Sequence, residues 1–208
     1  FELWRANPLC AFRGFAPHRG GLPLGLVLGL YFFATSVYPA IWTFWGFAKF
    51  NWTEATVGLT LAGFGLITGL FQGFLTGPAA KRFGEWNTAL FGLICSALVV
   101  LGYGFVGSLA AVLVLMVLHG PEGFVHPLIT SMLTKRVPED AQGELQGGIS
   151  AVTNIAMLFG TVFFAWIFGY FWAEGRAWRS TDVAFWVASG FVALSGVLFL
   201  MLKRSEKA

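Results

Sequence analysis

Long runs without a charged residue alternate with short polar stretches along most of this 208-residue chain. The charge-free runs cover residues 20–48, 55–80, 86–121, 123–134, 145–173 and 183–202. A helix that crosses a bilayer needs about 20 apolar residues, so most of these runs correspond to one crossing each. The run that begins at Trp86 is too long for one helix, and the run that begins at Gly123 is too short.

A turn inside the longer run resolves this mismatch. Gly102-Tyr103-Gly104 and Gly107-Ser108 contain the glycines that a tight turn favours. With the turn placed there, the pattern predicts six spans, at residues 22–47, 55–80, 87–104, 108–134, 145–172 and 183–202. We therefore predict an all-α membrane protein in which a cytoplasmic connector at 1–21 precedes a six-helix unit at 22–208. The chain begins with Phe1 rather than Met, and we expect it to be part of a longer protein.

Composition and charge support a membrane location. The chain is 57% hydrophobic and 11% charged, against about 25% charged residues in soluble domains. With six spans, both termini lie on one side, which collects ten of the 13 basic residues and leaves Lys49, Arg176 and Arg179 opposite. The positive-inside rule then places both termini in the cytoplasm. The net charge of +3 follows from this bias, so we predict lipid and not nucleic acid as a partner.

Two local patterns refine the predicted helices. In the second span, Gly65, Gly69, Gly73 and Gly77 recur every four residues. Such a row lies on one helix face and permits a close helix crossing, although glycine is also simply common in membrane helices. Before the fifth span, Pro138 followed by two acidic residues is typical of a helix start. That helix is expected to begin before the membrane does.

The fourth predicted span contains an acidic residue, Glu122, between His119 and His126. Offsets of three and four residues place the three side chains on one face of an α-helix. A carboxylate inside a bilayer costs roughly a few kcal/mol unless it is paired, protonated or in contact with water. We therefore expect this face to point into the helix bundle or into a polar cavity.

Two interpretations of this trio stay open. The three groups form a proton relay, since imidazole changes charge near neutral pH, or they form a self-satisfied polar patch beside a kink at Pro121. A metal site is disfavoured because one helix would have to supply every ligand. The sequence predicts no metal and no cofactor.

Uncharged polar residues in the spans are candidates for lining a passage. They are Gln72 in the second span, Thr130 in the fourth and Asn154 in the fifth, and each can equally hydrogen-bond a neighbouring helix. Six aromatic residues surround Pro39 in the first span: Tyr31, Phe32, Phe33, Tyr38, Trp42 and Trp45. The two tryptophans fit an interfacial belt, and those aromatics that face inward suit a flat hydrophobic substrate.

Motifs of soluble enzymes are missing from the sequence. It contains no phosphate-binding loop, no dinucleotide glycine fingerprint and no HExxH. We therefore predict that the chain is not an enzyme. Any uphill transport would have to draw on an ion gradient or on another subunit.

Two cytoplasmic stretches resemble those of a known family. Gln142-Gly143-Glu144-Leu145-Gln146-Gly147 resembles the QGxLQG signature that opens the eleventh helix of the tetracycline-resistance-like exporters of the major facilitator superfamily. The stretch at 77–85 resembles their loop between helices eight and nine, and residues 52–62 and 7–9 are similar too. The residues that carry the loop resemblance are Gly77, Pro78, Arg82, Gly84, Gln142, Gly143, Gln146 and Gly147.

The resemblance implies that the chain comprises helices seven to twelve of a twelve-helix antiporter in the bacterial inner membrane. Such an antiporter expels a drug-like compound in exchange for protons. The partner of this chain would be a missing N-terminal six-helix half, and the substrate would bind between the halves near the midplane. By position, Gln72 corresponds to a polar residue of the family's eighth helix, which makes it a candidate substrate contact.

The chain also departs from the family pattern. The drug-resistance members carry an acidic residue in the ninth helix, where this chain has Ser96, and usually Gln where it has Thr130. The usual coupling site of this half and tetracycline itself are therefore not carried over, and Ser96 is kept as a candidate cavity residue. Glu122 and the two histidines are not part of the family pattern.

The leading hypothesis is thus the C-terminal half of a proton-coupled exporter of a small amphipathic or drug-like compound. An alternative within transport is facilitated uptake of a small metabolite. From other classes, the alternatives are a non-transporting membrane scaffold or an intramembrane enzyme that uses His119, Glu122 and His126. We expect the cavity on the side where Gln72, Glu122 and Asn154 face the absent half, so this chain alone should not transport.

Overall fold

The computed structural model describes residues 21–175 and 177–205. In this part of the chain, six helices are long and apolar enough to cross a membrane. They are α1 (Gly21–Phe50), α2 (Glu54–Phe83), α3 (Glu85–Tyr103), α4 (Leu109–Thr134), α5 (Glu139–Trp172) and α6 (Val183–Ser205). The predicted all-α fold with six such helices is confirmed. The predicted connector lies outside the described residues, apart from Gly21, where α1 begins.

Local chemistry sets the ends of these helices. The Thr53 side chain accepts a hydrogen bond from the backbone N–H of Thr56 at the start of α2, and Ser108 caps α4 in the same way. Between α2 and α3, Gly84 has a φ of 82°, a left-handed conformation that favours glycine. The predicted glycine turn separates α3 from α4. At α5, a 3₁₀ turn leads into an α-helix that begins at Gln142, ahead of the predicted span start at 145.

The helices pack as a bundle in which α2 and α5 are the least buried. Helix α1 packs against α5 and α6, α3 packs against α4 and α6, and α2 packs against α4. Two apolar clusters form the core. The tryptophan cluster includes Trp42, Trp45, Trp52, Tyr103 and Phe185, and the leucine cluster includes Leu24, Leu28, Ile129, Met132 and Phe199.

The predicted location of Trp42 and Trp45 in an interfacial belt is wrong. Trp42 is 4% exposed and Trp45 is fully buried, so neither lies in a lipid-facing interfacial belt. Indole N–H groups at such depth need acceptors. Trp42 donates to Thr60 Oγ1 over 3.0 Å, and Trp45 donates to Asp182 Oδ1 over 2.8 Å.

Three helices are irregular in their central parts. Helix α1 is interrupted at Ser36, α2 contains a π-helical segment at Phe71–Leu75, and α4 contains a 3₁₀ segment at Gly120–Phe124. In α1, Pro39 has no backbone N–H to offer the carbonyl of Thr35. In α4, Pro121 stands at the start of the 3₁₀ segment. Irregular turns of this kind inside membrane helices are often found at functional sites.

Glycines allow the 3₁₀ segment of α4 to lie directly against its neighbours. A Cβ atom added at Gly123 would lie 2.7 Å from the carbonyl oxygen of Thr68 on α2. One added at Gly92 on α3 would lie 2.7 Å from the carbonyl oxygen of Pro121. Both distances are too short for a real side chain. The segment is therefore held between α2 and α3 by backbone contacts.

The predicted close crossing through the glycine row of α2 is wrong for the described part of the chain. A Cβ atom at Gly65, Gly69, Gly73 or Gly77 would meet no atom within 4 Å. Helix α2 approaches α4 through glycines that belong to α4. The row on α2 lies on an open face of the bundle.

Candidate functional site

The central feature of the bundle interior is an acid–imidazole pair on α4. His119 ends the regular first part of α4, and Glu122 lies in the 3₁₀ segment that follows. A 3₁₀ helix has three residues per turn, so residues three apart lie above one another. His119 Nε2 contacts Glu122 Oε2, and the two groups form an ion pair when the imidazole is protonated. The His119 side chain is fully buried and that of Glu122 is 9% exposed.

Two tyrosines of α1 reach this pair. Tyr31, which is buried, donates a hydrogen bond from its hydroxyl to Glu122 Oε1 over 2.7 Å. The hydroxyl of Tyr38 lies 3.2 Å from His119 Nε2. From α3, the buried Ser96 Oγ lies 3.5 Å from the same nitrogen. We call these five residues the polar cluster: Tyr31, Tyr38, Ser96, His119 and Glu122.

The polar cluster lies where the two apolar clusters meet. On α1, Tyr31 belongs to the leucine cluster and Tyr38 packs against the tryptophan cluster. On α4, Phe124 belongs to the leucine cluster and Met116 to the tryptophan cluster. Tyr103 also stands close by, with its ring centroid 5.9 Å from that of His119. Its hydroxyl is buried and has no hydrogen-bond partner among residues 21–175 and 177–205.

Pairing makes the buried carboxylate tolerable. Burying an ion away from water costs on the order of several kcal/mol. That cost is offset only when other groups pair with the ion in good geometry. Glu122 accepts a hydrogen bond from Tyr31 on Oε1, and its Oε2 lies against His119 Nε2 as a charge partner without a hydrogen bond from the described residues.

His126 does not join this cluster. Its ring lies edge-on to Phe32, with the centroids 5.3 Å apart, and its side chain is partly buried. The predicted alignment of His119, Glu122 and His126 assumed an unbroken α-helix. The 3₁₀ segment advances by about 120° per residue instead of 100°, which rotates the residues beyond it. The structure brings together two members of the trio.

The uncharged candidates fall in different environments. Gln72 lies in the π-helical segment of α2, beside Gly123, and Asn154 lies on α5. Both are exposed, on the two least buried helices. Thr130 is partly buried, and its hydroxyl has no hydrogen-bond partner in the described part of the chain. Ser96 belongs to the polar cluster.

The loop-motif residues gather near one end of the bundle. Gly77, Pro78, Arg82, Gly84, Gly143, Gln146 and Gly147 are exposed, and Gln142 is partly buried. Gln146 Nε2 donates to Thr134 Oγ1 over 3.5 Å, which links α5 to the end of α4. Glu85, at the start of α3, accepts hydrogen bonds from Lys135 over 2.7 Å and Ser131 over 2.9 Å. These contacts join the starts of α3 and α5 to the end of α4.

Another polar site, which sequence reasoning missed, lies at the other end. Asp182, just before α6, accepts hydrogen bonds from Lys49 Nζ and Trp45 Nε1 of α1, each over 2.8 Å. Its side chain is 17% exposed. It ties the end of α1 to the beginning of α6.

No cluster of three or more His, Cys, Asp or Glu residues suited to a metal ion occurs among the described residues.

Comparison with known proteins identifies relatives of the chain. The family model of the Major Facilitator Superfamily matches residues 24–208. The chain is 32% identical to the tetracycline resistance protein, class C, of Escherichia coli, over 83% of this chain and 43% of that protein. It is 33% identical to the class G protein of Vibrio anguillarum, over 75% and 40% respectively. The chain thus spans about two-fifths of the length of these relatives.

Proposed function

The chain belongs to the major facilitator superfamily, within its tetracycline-resistance-like branch, and on this premise we propose that it forms the C-terminal half of a proton-coupled exporter. The exported compound would be small and amphipathic or drug-like. The observation that carries the proposal is the buried pair of His119 and Glu122. An ionisable residue inside a membrane bundle is a candidate for proton transfer, because it is costly to keep there without a function.

The proposal assigns the protons to this pair and the substrate to a different surface. His119 and Glu122 are enclosed by α1, α3 and α4, with the imidazole fully buried and the carboxyl 9% exposed, so a proton or a water molecule reaches them more readily than a drug-sized compound does. Gln72 and Asn154 are exposed on α2 and α5 and would line the substrate cavity. The N-terminal half would cover these two helices, and the halves would rock to expose the cavity alternately.

Proton coupling follows from the alternative protonation states of Glu122. In its ionised state, the carboxylate attracts His119 and accepts the hydrogen bond of Tyr31. A protonated carboxyl gives up the charge that both contacts depend on. If each state favours one orientation of the halves, proton binding on one side and release on the other drive the substrate outward. The membrane would be the bacterial inner membrane, with both termini of the chain cytoplasmic.

The buried pair also favours this proposal over facilitated uptake. A facilitator needs no titratable group, since its substrate moves down its own gradient. Facilitated exchange should therefore survive the loss of Glu122 even though coupling does not. This difference provides the test.

We predict that Glu122→Gln in the full-length protein abolishes accumulation driven by a pH gradient while leaving substrate counterflow within about twofold of the unsubstituted protein. The assay uses inside-out vesicles and a panel of amphipathic fluorescent drugs, with Glu54→Gln, an exposed carboxylate at the start of α2, as the control. Glu54→Gln should behave as the unsubstituted protein does. Drug accumulation that persists in Glu122→Gln and collapses with the pH gradient would contradict the proposal.

A further inference from the structure

Helix α1 contacts the acid–imidazole pair on both sides of its own interruption. Tyr31 precedes Ser36 and contacts Glu122, and Tyr38 follows Ser36 and contacts His119. We propose that Tyr31 and Tyr38 are positioning residues that couple the protonation of this pair to a bend of α1 at Ser36. This inference rests on the proposed function, because it assumes that Glu122 gains and loses a proton during transport.

The Tyr31 contact depends on the charge of Glu122. A hydrogen bond to an ionised acceptor is roughly twice as strong as one between neutral groups. The 2.7 Å distance from Tyr31 Oη to Glu122 Oε1 is that of a strong O–H···O bond. Protonation of Glu122 therefore weakens the link that holds the first part of α1 against α4.

The Tyr38 contact responds in the opposite direction. His119 Nε2 faces Glu122 Oε2, the Tyr38 hydroxyl and Ser96 Oγ. A nitrogen that carries a proton donates it to one acceptor, and one without a proton accepts a hydrogen bond instead. A protonated Nε2 is attracted to the ionised carboxylate. When Glu122 takes up a proton and loses its charge, the Tyr38 hydroxyl becomes the better acceptor for the Nε2 proton. Loss of the ion pair thus strengthens the link to the second part of α1.

The interruption gives α1 a place to bend. Pro39 leaves the carbonyl of Thr35 without a helical donor, and Ser36 Oγ donates to the carbonyl of Phe33 over 2.6 Å. On α5, a Cβ atom at Gly160 would lie 2.1 Å from Ser36 Oγ. The backbone of α5 therefore rests directly on the interruption, and a bend there displaces the helix that carries Asn154.

Among residues 21–175 and 177–205, the titratable groups that face Glu122 are Tyr31 and Tyr38 from α1, Tyr103 from α3 and His119 from α4 itself. Of the three tyrosines, Tyr103 has a hydroxyl with no hydrogen-bond partner in the described part of the chain. Tyr103→Phe is therefore a matched control that removes a nearby hydroxyl without removing a hydrogen bond.

The first test is the pH profile of transport by the full-length protein. Tyr31→Phe removes a donor to the ionised carboxylate, so the midpoint of the profile should move to higher pH by about one unit, which is tenfold in proton affinity. Tyr38→Phe should lower the pH-driven rate without that shift, and Tyr103→Phe should change neither. Profiles that coincide for Tyr31→Phe and the unsubstituted protein would overturn the role of Tyr31.

The second test measures the bend itself. Spin labels at Leu26 and Phe44, exposed on either side of Ser36, are separated by about 27 Å along an α-helix, within the range of pulsed electron resonance. In a background where Ser replaces both Cys10 and Cys95, the distance between the labels should change between acidic and alkaline pH. It should stay constant in the Tyr31→Phe/Tyr38→Phe variant. A distance that still changes in that double variant but not in Glu122→Gln contradicts this inference alone. A distance that changes equally in Glu122→Gln contradicts the proposed function as well.

Discussion

At the residue scale, the central fact is that a carboxylate is held inside a membrane bundle by two partners from different parts of the chain. Its imidazole partner is three residues away, and its tyrosine partner is 91 residues away. The first relation is readable from the spacing of polar residues in an apolar span. The second is not, because Tyr31 is one of six aromatics in the first span, and nothing in its local sequence distinguishes it from Phe32 or Phe33. Only packing of α1 against α4 selects it.

We predict that His119→Ala lowers the free energy of unfolding by about 3 kcal/mol, because it leaves Glu122 buried without its ionic partner. The His119→Ala/Glu122→Gln double variant should recover a large part of that loss, since it removes the charge as well. Thermal unfolding in detergent, followed by tryptophan fluorescence, measures both. Equal melting temperatures for the single and double variants would show that the two side chains do not stabilise each other.

At the element scale, the sequence predicted the helices well and their irregularities poorly. Charge-free length and the glycine turn are enough to place six helices, since a bilayer leaves the backbone almost no alternative. The row of glycines on α2 suggested a close crossing there, yet the crossing uses Gly120 and Gly123 of α4. A glycine shows that a close approach is possible, whereas the neighbouring helix decides whether it occurs. The sequence likewise did not reveal the 3₁₀ segment of α4, which turns His126 away from Glu122.

The role of Gly123 can be tested by adding one methyl group. Gly123→Ala would place a Cβ atom 2.7 Å from the Thr68 carbonyl oxygen, so α2 and α4 must move apart. We expect a loss of roughly 1–3 kcal/mol in the free energy of unfolding, measured as a lower melting temperature. Gly190→Ala on α6, where a Cβ atom meets nothing within 4 Å, is the matched control and should be neutral. A Gly123→Ala protein as stable as this control would contradict the close contact.

At the scale of the whole molecule, the chain is a bundle with an unequal distribution of burial. Helices α2 and α5 are mostly exposed, and they carry Gln72, Asn154 and the glycine row of α2. The chain also spans about two-fifths of its relatives' length. A second six-helix half packed on α2 and α5 would account for both observations in the proposed transporter. The polar cluster is formed by residues of α1, α3 and α4, so the proposed proton site and the proposed substrate cavity lie on different helices.

The central claim is that Glu122 exchanges a proton in step with the substrate. Its most direct test is proton release from the purified full-length protein in weakly buffered detergent solution, followed with a pH-sensitive dye as a transported drug is added. We predict that the unsubstituted protein and Glu54→Gln release protons on drug binding and that Glu122→Gln binds the drug without releasing them. Equal proton release by Glu122→Gln and the unsubstituted protein would contradict the account.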